Sequence, residues 1–247
     1  MSGHSKWSNI QHRKSAQDAR RGKLFTRLIR EITTAARHGD PNPGHNPRLR
    51  LAVDNALRAN MTKDTIERAI KRGAGELGGA ALEEARYEGY ASGGVAIIVE
   101  CLTDNRTRTV GEVRHAFTKH AGNLGADGSV GYLFNKCGVL RFAAGTSEAA
   151  LLEAALAAGA EDIVTAEDGS FEVLTNPAVF HDVRQAMESA GLMPESAEVT
   201  LRAFTAVPLS AEQAPVVLEL LEALEDLDDV QAVYSNAEFP EALLKAS

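Results

Sequence analysis

Lysine and arginine crowd the beginning of the chain, where they could neutralise the phosphates of a nucleic acid. Residues 1–75 contain 16 Lys and Arg against 6 Asp and Glu, whereas the remaining 172 residues contain 10 against 28. The first part therefore carries +10 and the second −18, although the chain of 247 residues has a net charge of only −8. Such a partition predicts that one part of the chain alone contacts a polyanion.

The candidate phosphate-binding residues are basic side chains of this first part, together with one aromatic residue. A solvated helix face is the simpler interpretation of a charge stripe, but after Asp18 only Glu31 counters the cations of the first predicted helix. Trp7 could stack on a base or ribose, or equally fill the core of a helical bundle. The predicted nucleic-acid-binding residues are Lys6, Trp7, His12, Arg13, Lys14, Arg20, Lys23, Arg27, Arg30, Arg37, Arg48, Arg50, Lys71 and Arg72.

A second cationic cluster lies in the otherwise acidic remainder of the chain. We predict a second contact with RNA or a ribosomal partner there, whereas pairing of these side chains with neighbouring acids is the alternative. The cluster consists of Arg106, Arg108, Arg114, His115, Lys119 and His120.

No pattern predicts catalysis, a cofactor or a metal. His115 and His120 lie about 140° apart on a helix, so they do not converge on one ion. The Gly73–Gly79 segment matches a dinucleotide fingerprint by spacing, but it follows a helix and does not open one after a strand. Cys101 and Cys137 lack the spacing of a zinc site, and we expect one buried thiol and one in a turn. We predict that the protein is not an enzyme and has no catalytic residue, cofactor, metal or small-molecule substrate.

The lengths and positions of the apolar runs indicate where in the cell the protein lies. The longest, residues 94–99, is far too short to span a bilayer, and no apolar signal region follows the basic start. We expect a cytoplasmic protein without a membrane partner.

Three amphipathic helices must position the first cluster. Apolar residues at helical spacing predict a helix over Asp18–Arg37, with the basic residues nearly opposite the apolar face. Asn46 and Thr62 are predicted N-caps of two further helices, which end near Asn60 and Arg72. Three short helices with apolar faces form a small bundle.

The rest of the chain alternates strands and helices. Strands are predicted at Glu84–Tyr90, Val95–Leu102 and Ser129–Phe134, with a loop at Asp104–Arg108 before a helix over Thr109–Ala121. Residues 138–204 show a β-α-β-β-α-β order, typical of the ferredoxin-like arrangement. A helix over 211–227 and a strand over 230–234 then complete the interrupted middle region.

These elements predict an α+β multidomain fold: an N-terminal three-helix module followed by two α/β ferredoxin-like modules, the third inserted into the second. The predicted domains are residues 1–78, residues 79–135 with 205–240, and residues 136–204. Acids line the last long helix, and we expect them to repel phosphate, although solubility alone would account for them. They are Glu219, Glu222, Glu225, Asp226, Asp228 and Asp229.

Four sequence blocks resemble the YebC/PmpR family, which includes the mitochondrial translational activator of cytochrome oxidase. The blocks are GHSKWSNIQHRK, NPGHNPRLRLAVDNALRANMTKDTIERAIKRGAGE, YEGYASGGVAIIVE and TDNRTRTVGEVRHAFTKHAGNLGADGSVGYLF. The departures are small: Ala91–Ser92 stands where the family usually shows Gly-Pro, and Thr62 where proline is common.

The resemblance implies a non-enzymatic regulator of gene expression. Bacterial members are assigned as DNA-binding transcriptional regulators, whereas the mitochondrial relative implies ribosome binding and relief of stalling at proline-rich stretches. The implied partner is thus DNA or ribosomal or transfer RNA, with the ribosome as a further candidate. The basic helix contains few base-reading side chains, and phosphate contacts carry no sequence information, which favours structured RNA slightly.

Overall fold

The computed structural model describes residues 17–78, 82–166 and 168–240, with the backbone alone for residues 17–21. Its first three helices are α1 (Gln17–His38), α2 (Pro47–Arg58) and α3 (Lys63–Gly73). The predicted caps are confirmed, because the side chain of Asn46 accepts a hydrogen bond from the amide of Leu49 and that of Thr62 from the amide of Thr65.

The three helices enclose a small apolar core of their own. At the α1–α3 crossing, a Cβ on Gly73 would lie 2.4 Å from the carbonyl oxygen of Thr33 and 2.7 Å from the Cβ of Ala36. Only glycine therefore permits this close approach of the two helices. The buried core residues are Ile32, Ala35, Ala36, Leu49, Ala52, Ala56, Met61, Ile66 and Ala69.

A four-stranded antiparallel sheet follows. Numbered along the chain, its strands are β1 (Glu83–Tyr90), β2 (Ala96–Thr103), β3 (Asn123–Leu124) and β9 (Val230–Ser235), in the order β3-β1-β2-β9. Two helices, α4 (Arg106–Lys119) and α7 (Gln213–Glu225), supply apolar side chains to its core. This core shares no buried residue with that of the three helices.

The start of α4 differs from the sequence prediction. The side chain of Asn105 accepts a hydrogen bond from the amide of Arg108 at 3.1 Å and caps the helix, which begins at Arg106, three residues before the predicted start at Thr109. The predicted loop at Asp104–Arg108 is therefore wrong, since Arg106 and Arg108 lie in the first helical turn.

The predicted strand Ser129–Phe134 is also wrong. The amides of Val130 and Gly131 both donate to the buried carboxylate of Glu88, each at 2.7 Å. Because these two amides are occupied, they are not free to join a strand ladder. The chain instead makes a single 3₁₀ turn at Gly131–Leu133.

Residues 132–206 form a second compact unit with its own antiparallel sheet, and the remaining described residues form the first. The elements are β4 (Phe134–Phe142), α5 (Glu148–Ala158), β5 (Asp162–Thr165), β6 (Phe171–Thr175), α6 (Phe180–Ser189) and β7 (Ser196–Ala203). The strand order is β5-β6-β4-β7. Cys137 is buried within β4, so the predicted turn at this cysteine is wrong.

A short parallel pair, β8 (Val207–Pro208) and β10 (Ala237–Glu238), completes the first unit. The mixed α+β class with antiparallel sheets is confirmed. The division into three domains stays a prediction. Among the described helices none is both long and apolar enough to cross a membrane.

Candidate nucleic-acid interface

Three cations of the predicted α1 stripe lie against the end of α7 and the loop that follows it. Lys23 donates to the Asp226 carboxylate at 2.6 Å, and Arg27 donates to the carbonyl oxygen of Glu225. Backbone carbonyls at a helix C-terminus carry partial negative charge and lack helical partners, which makes them good acceptors for cations. This part of the stripe is therefore bound within the protein.

Arg30 makes the most contacts of the three. Its guanidinium donates to the carbonyl oxygens of Leu102 at 3.2 Å and Asp228 at 2.5 Å, and to the carboxylate of Asp229 at 3.1 Å. The side chain is only 22% exposed. Arg30 thus joins the helical region, formed by α1, α2 and α3, to both β2 and the segment before β9.

Asp229 is the centre of this polar contact. Its side chain is 3% exposed, and besides Arg30 it accepts hydrogen bonds from Arg108 at 2.6 Å, Thr109 at 2.7 Å and Thr103 at 3.1 Å. Burial alone would raise the pKa of Asp229, but the bonds from Arg108, Thr109 and Thr103 outweigh it and hold the pKa below its ordinary value. The carboxylate is therefore a structural ion, shared by α1, β2 and α4.

These contacts correct the expected role of the acidic segment. Asp226 and Asp229 pair with the basic helix, and Glu225 and Asp228 contribute backbone carbonyls. The sequence prediction placed this segment as a surface that repels phosphate. Its partners are nearly 200 residues away in the chain, so local sequence gives no sign of the pairing.

Arg48 and Arg50 on α2 are also occupied. Arg48 bonds the carboxylate of Glu31 at 2.7 Å and that of Glu84 at 2.6 Å, and the hydrogen bond to Glu31 is the main reason that its pKa lies above the ordinary value. Arg50 donates to the carbonyl oxygens of Pro43 at 3.0 Å and Gly44 at 2.7 Å. Arg50 therefore fastens the loop before its own helix.

The second predicted cluster divides into paired and unpaired members. Arg106 donates to the carbonyl oxygen of Glu84 at 3.2 Å, and Arg108 bonds both Asp104 and Asp229. The hydrogen bond to Asp229 is the main cause that raises the pKa of Arg108. His120 lies 3.5 Å from the carboxylate of Glu219. For these three members, pairing with nearby acceptors is what the structure shows.

The side chains of six predicted residues have no hydrogen bond or ion pair to any described residue. They fall into two groups, one in the last turns of α1 and α3 and one along α4. Five of them are exposed, and Arg37 is partly buried. The six are Arg37, Lys71, Arg72, Arg114, His115 and Lys119.

The remaining predicted residues fall outside the described part. Lys6, Trp7, His12, Arg13 and Lys14 precede residue 17. Arg20 lies on the described backbone of α1, but its side chain is outside the described residues. Their binding role stays a prediction.

Across residues 17–78, 82–166 and 168–240, the His, Cys, Asp and Glu side chains form no group of three that could hold a metal ion. The two cysteines are buried and free. Burial is the main cause that raises the pKa of Cys101, to about 12, and that raises the pKa of Cys137. Neither thiol is a thiolate at neutral pH, so neither has the reactivity of a nucleophile.

Two models of one protein family match this chain. A family model described as the TACO1/YebC protein N-terminal domain matches residues 5–76, and one described as the TACO1/YebC second and third domain matches residues 82–237. The chain belongs to the TACO1/YebC family. The predicted YebC resemblance is thereby confirmed.

Two similar members of the TACO1/YebC family align with this chain over nearly their whole length and carry a regulatory name. The chain is 65% identical over 244 residues to a probable transcriptional regulatory protein of Methylococcus capsulatus, covering 99% of this chain and 98% of the relative. A probable transcriptional regulatory protein of Shewanella oneidensis is 56% identical, with 100% and 99% covered. A crystal structure of a conserved hypothetical protein from Aquifex aeolicus is similar with a TM-score of 0.83 at 51% identity, covering 94% of this chain and 96% of that one.

Proposed function

We propose that this protein is a non-enzymatic regulator of gene expression that binds nucleic acid through its N-terminal helical region. The names of its TACO1/YebC relatives support a role in transcription regulation. The charge of +10 over the first 75 residues supports a polyanionic partner. The cytoplasmic location remains a prediction from the sequence.

The observation that carries this proposal is the presence of unpaired cations in the helical region. Arg37, Lys71 and Arg72 lie in the last turns of α1 and α3 without a partner among the described residues. Cations in a last turn also offset the helix dipole, which would make them structural. Measuring both nucleic-acid binding and unfolding stability on variants of these three residues distinguishes a binding role from a structural one.

A second candidate, a ribosome-associated translation factor, is favoured by the environment of α1. A helix that reads DNA presents its side chains to base edges in the major groove. Here Ile32, Ala35 and Ala36 of α1 are buried in the helical core, while Arg27 and Arg30 are held by the segment after α7. This leaves phosphate and shape as the recognised features, which suits structured RNA.

We further propose the modular arrangement that accompanies this function. The helical region would supply the main contact, and the unit of residues 132–206 would be a ferredoxin-like module inserted into the middle one. Its β-α-β-β-α-β order and its β5-β6-β4-β7 sheet support this arrangement.

Binding to matched nucleic acids tests the proposal. The full chain is titrated by fluorescence anisotropy against a promoter duplex, a random DNA duplex and a structured RNA at the same salt concentrations, and its co-sedimentation with ribosomes is followed in a sucrose gradient. Preference for the promoter supports transcription regulation, whereas preference for RNA with ribosome co-sedimentation supports the translation factor.

Charge reversal locates the contact. Lys71→Glu is expected to weaken binding to every probe and to reduce the log–log salt slope by about 1, because one phosphate contact is lost. Lys136→Glu, an exposed cation of the 132–206 unit, is the control with the same change in charge. Absence of binding to DNA, RNA and ribosomes alike would refute the proposed function.

A further inference from the structure

The outward face of α4 carries two cations and a histidine whose side chains have no partner in the described residues. Arg114, Lys119 and His115 are all exposed. The opposite side of the helix is fixed in the sheet core through Val113 and Phe117, both fully buried. The cationic face is therefore held in place by a rigid element and turned to solvent.

A glycine lies in the middle of this face. Apart from proline, glycine is the least favourable residue for a helix interior. A Cβ on Gly111 would find nothing within 4 Å among the described residues, so none of these residues requires a glycine here. This differs from Gly73, where a Cβ would collide with α1. The fold explains Gly73 and leaves Gly111 unexplained.

The cations flank the glycine. At about 100° per residue, Arg114 lies about 60° to one side of Gly111 and Lys119 about 80° to the other. The two cations are separated by about 7.5 Å along the helix axis. Exposed Thr107 and Thr118 lie close to the glycine direction and add two hydroxyl groups. Exposed His115 lies about 40° from Gly111 on the Lys119 side and one turn later, so the face is low at the level of Gly111 itself, with hydroxyl groups nearby and a positive charge on each side.

We propose that this α4 face, formed by Thr107, Gly111, Arg114, Thr118 and Lys119, docks on the minor groove of A-form RNA. Gly111 lets the helix approach the ribose surface closely, the threonine hydroxyls bond 2′-hydroxyl groups, and the two cations contact phosphates on either side. The inference rests on the proposed function, because it gives the same nucleic-acid partner a second contact.

The exposure of α4 on one side only favours a shallow groove. A helix that reads B-DNA enters the major groove, about 8.5 Å deep, to reach the base edges. The buried side of α4 packs against the sheet core and α7, which leaves one face of the helix for a contact. The minor groove of A-form RNA is wide and shallow and displays 2′-hydroxyl groups, which suits a helix exposed on one side only.

Gly111 variants provide a test in which stability and binding move in opposite directions. The probes are an RNA duplex of about 16 base pairs and a DNA duplex of the same sequence, both titrated by anisotropy with the full chain. Gly111→Ala is expected to raise Tm by about 2–4 °C, because alanine favours the helix. It is expected to weaken RNA binding about threefold, and Gly111→Leu at least about tenfold, because each side chain holds the helix off the groove.

Cation variants test the flanks. Arg114→Glu with Lys119→Glu is expected to lower RNA affinity at least about tenfold and to reduce the salt slope by about 1.5–2. The controls lie in the 132–206 unit: exposed Ala157→Leu adds the same kind of bulk to another helix, and Lys136→Glu reverses an exposed charge. Both controls are expected to bind RNA as the wild type does.

Three outcomes would overturn the inference. If the Gly111 and cation variants bind RNA normally while Lys71→Glu does not, α4 is not a contact and the proposed function still stands. If the α4 variants weaken DNA and RNA binding equally, the surface does not select the A-form groove. If the wild-type protein binds no nucleic acid, the proposed function fails and the inference fails with it.

Discussion

Arg30 on α1 and Arg114 on α4 show how differently the fold uses the same side chain. Arg30 donates to two backbone carbonyls and one buried carboxylate, whereas Arg114 is exposed without a partner among the described residues. Both lie on amphipathic helices within basic segments of the sequence. A count of cations therefore locates positive charge, but the acceptors around each cation decide whether it is available to a ligand.

The largest expected loss of stability comes from removing the Asp229 carboxylate, which accepts hydrogen bonds from Arg30 and Arg108. Asp229→Asn should lower the free energy of unfolding by about 2–4 kcal/mol, because Arg30 and Arg108 lose their shared partner in a nearly buried site. Urea unfolding at pH 7 measures it. Asp226→Asn is the control, since its carboxylate is 74% exposed, and it should cost less than about 1 kcal/mol. Equal losses for the two variants would show that Asp229 is not the organising group.

The stability difference between the wild type and Asp229→Asn is expected to depend on pH. The pKa of Asp229 is lowered in the folded state, so its stabilising contribution is complete above the ordinary value of about 3.9 and is lost as the pH falls through the lower folded value. The stability difference between wild type and Asp229→Asn should therefore be constant from pH 7 to about 5 and shrink below about pH 4. Urea unfolding at constant ionic strength checks this, and a difference that grows in acid would contradict it.

Conservative substitution sharpens the contrast between the two arginines. Arg30→Lys should destabilise the protein by about 1–2 kcal/mol, because an ammonium group cannot reproduce the planar geometry that reaches three oxygens. Arg114→Lys should change stability by less than about 0.5 kcal/mol. Thermal and urea unfolding of both variants measure the difference, and similar values for the two would remove the distinction.

The smallest loss of stability is expected at the exposed ion pair between α1 and the end of α7. Lys23 and Asp226 form a 2.6 Å ion pair in which both side chains are well exposed, at 44% and 74%. Lys23→Ala should cost at most about 0.5 kcal/mol, and this cost should disappear at about 0.5 M salt because of screening. A larger, salt-independent loss would mean that Lys23 acts through packing.

Local sequence predicted the features that depend on local contacts. The caps at Asn46 and Thr62 were predictable because the hydrogen bond of each joins residues three apart. The 3₁₀ turn at Gly131–Leu133 was not, because the group that occupies the amides of Val130 and Gly131 is Glu88, 42 residues before Val130. The pairing of Arg27 and Arg30 with residues 225–229 was hidden for the same reason. The availability of Arg114 and Lys119 likewise depends on which acids the fold brings near.

The two buried cysteines have a practical consequence for labelling. Because both thiols are buried and burial raises the pKa of Cys101 to about 12, maleimide reagents at neutral pH should leave the native protein almost unmodified. A cysteine placed at a chosen exposed position would then be the single reactive site, ready for a fluorophore or a photo-crosslinker. Any slow modification of the natural thiols would report transient opening of the two sheets that enclose them.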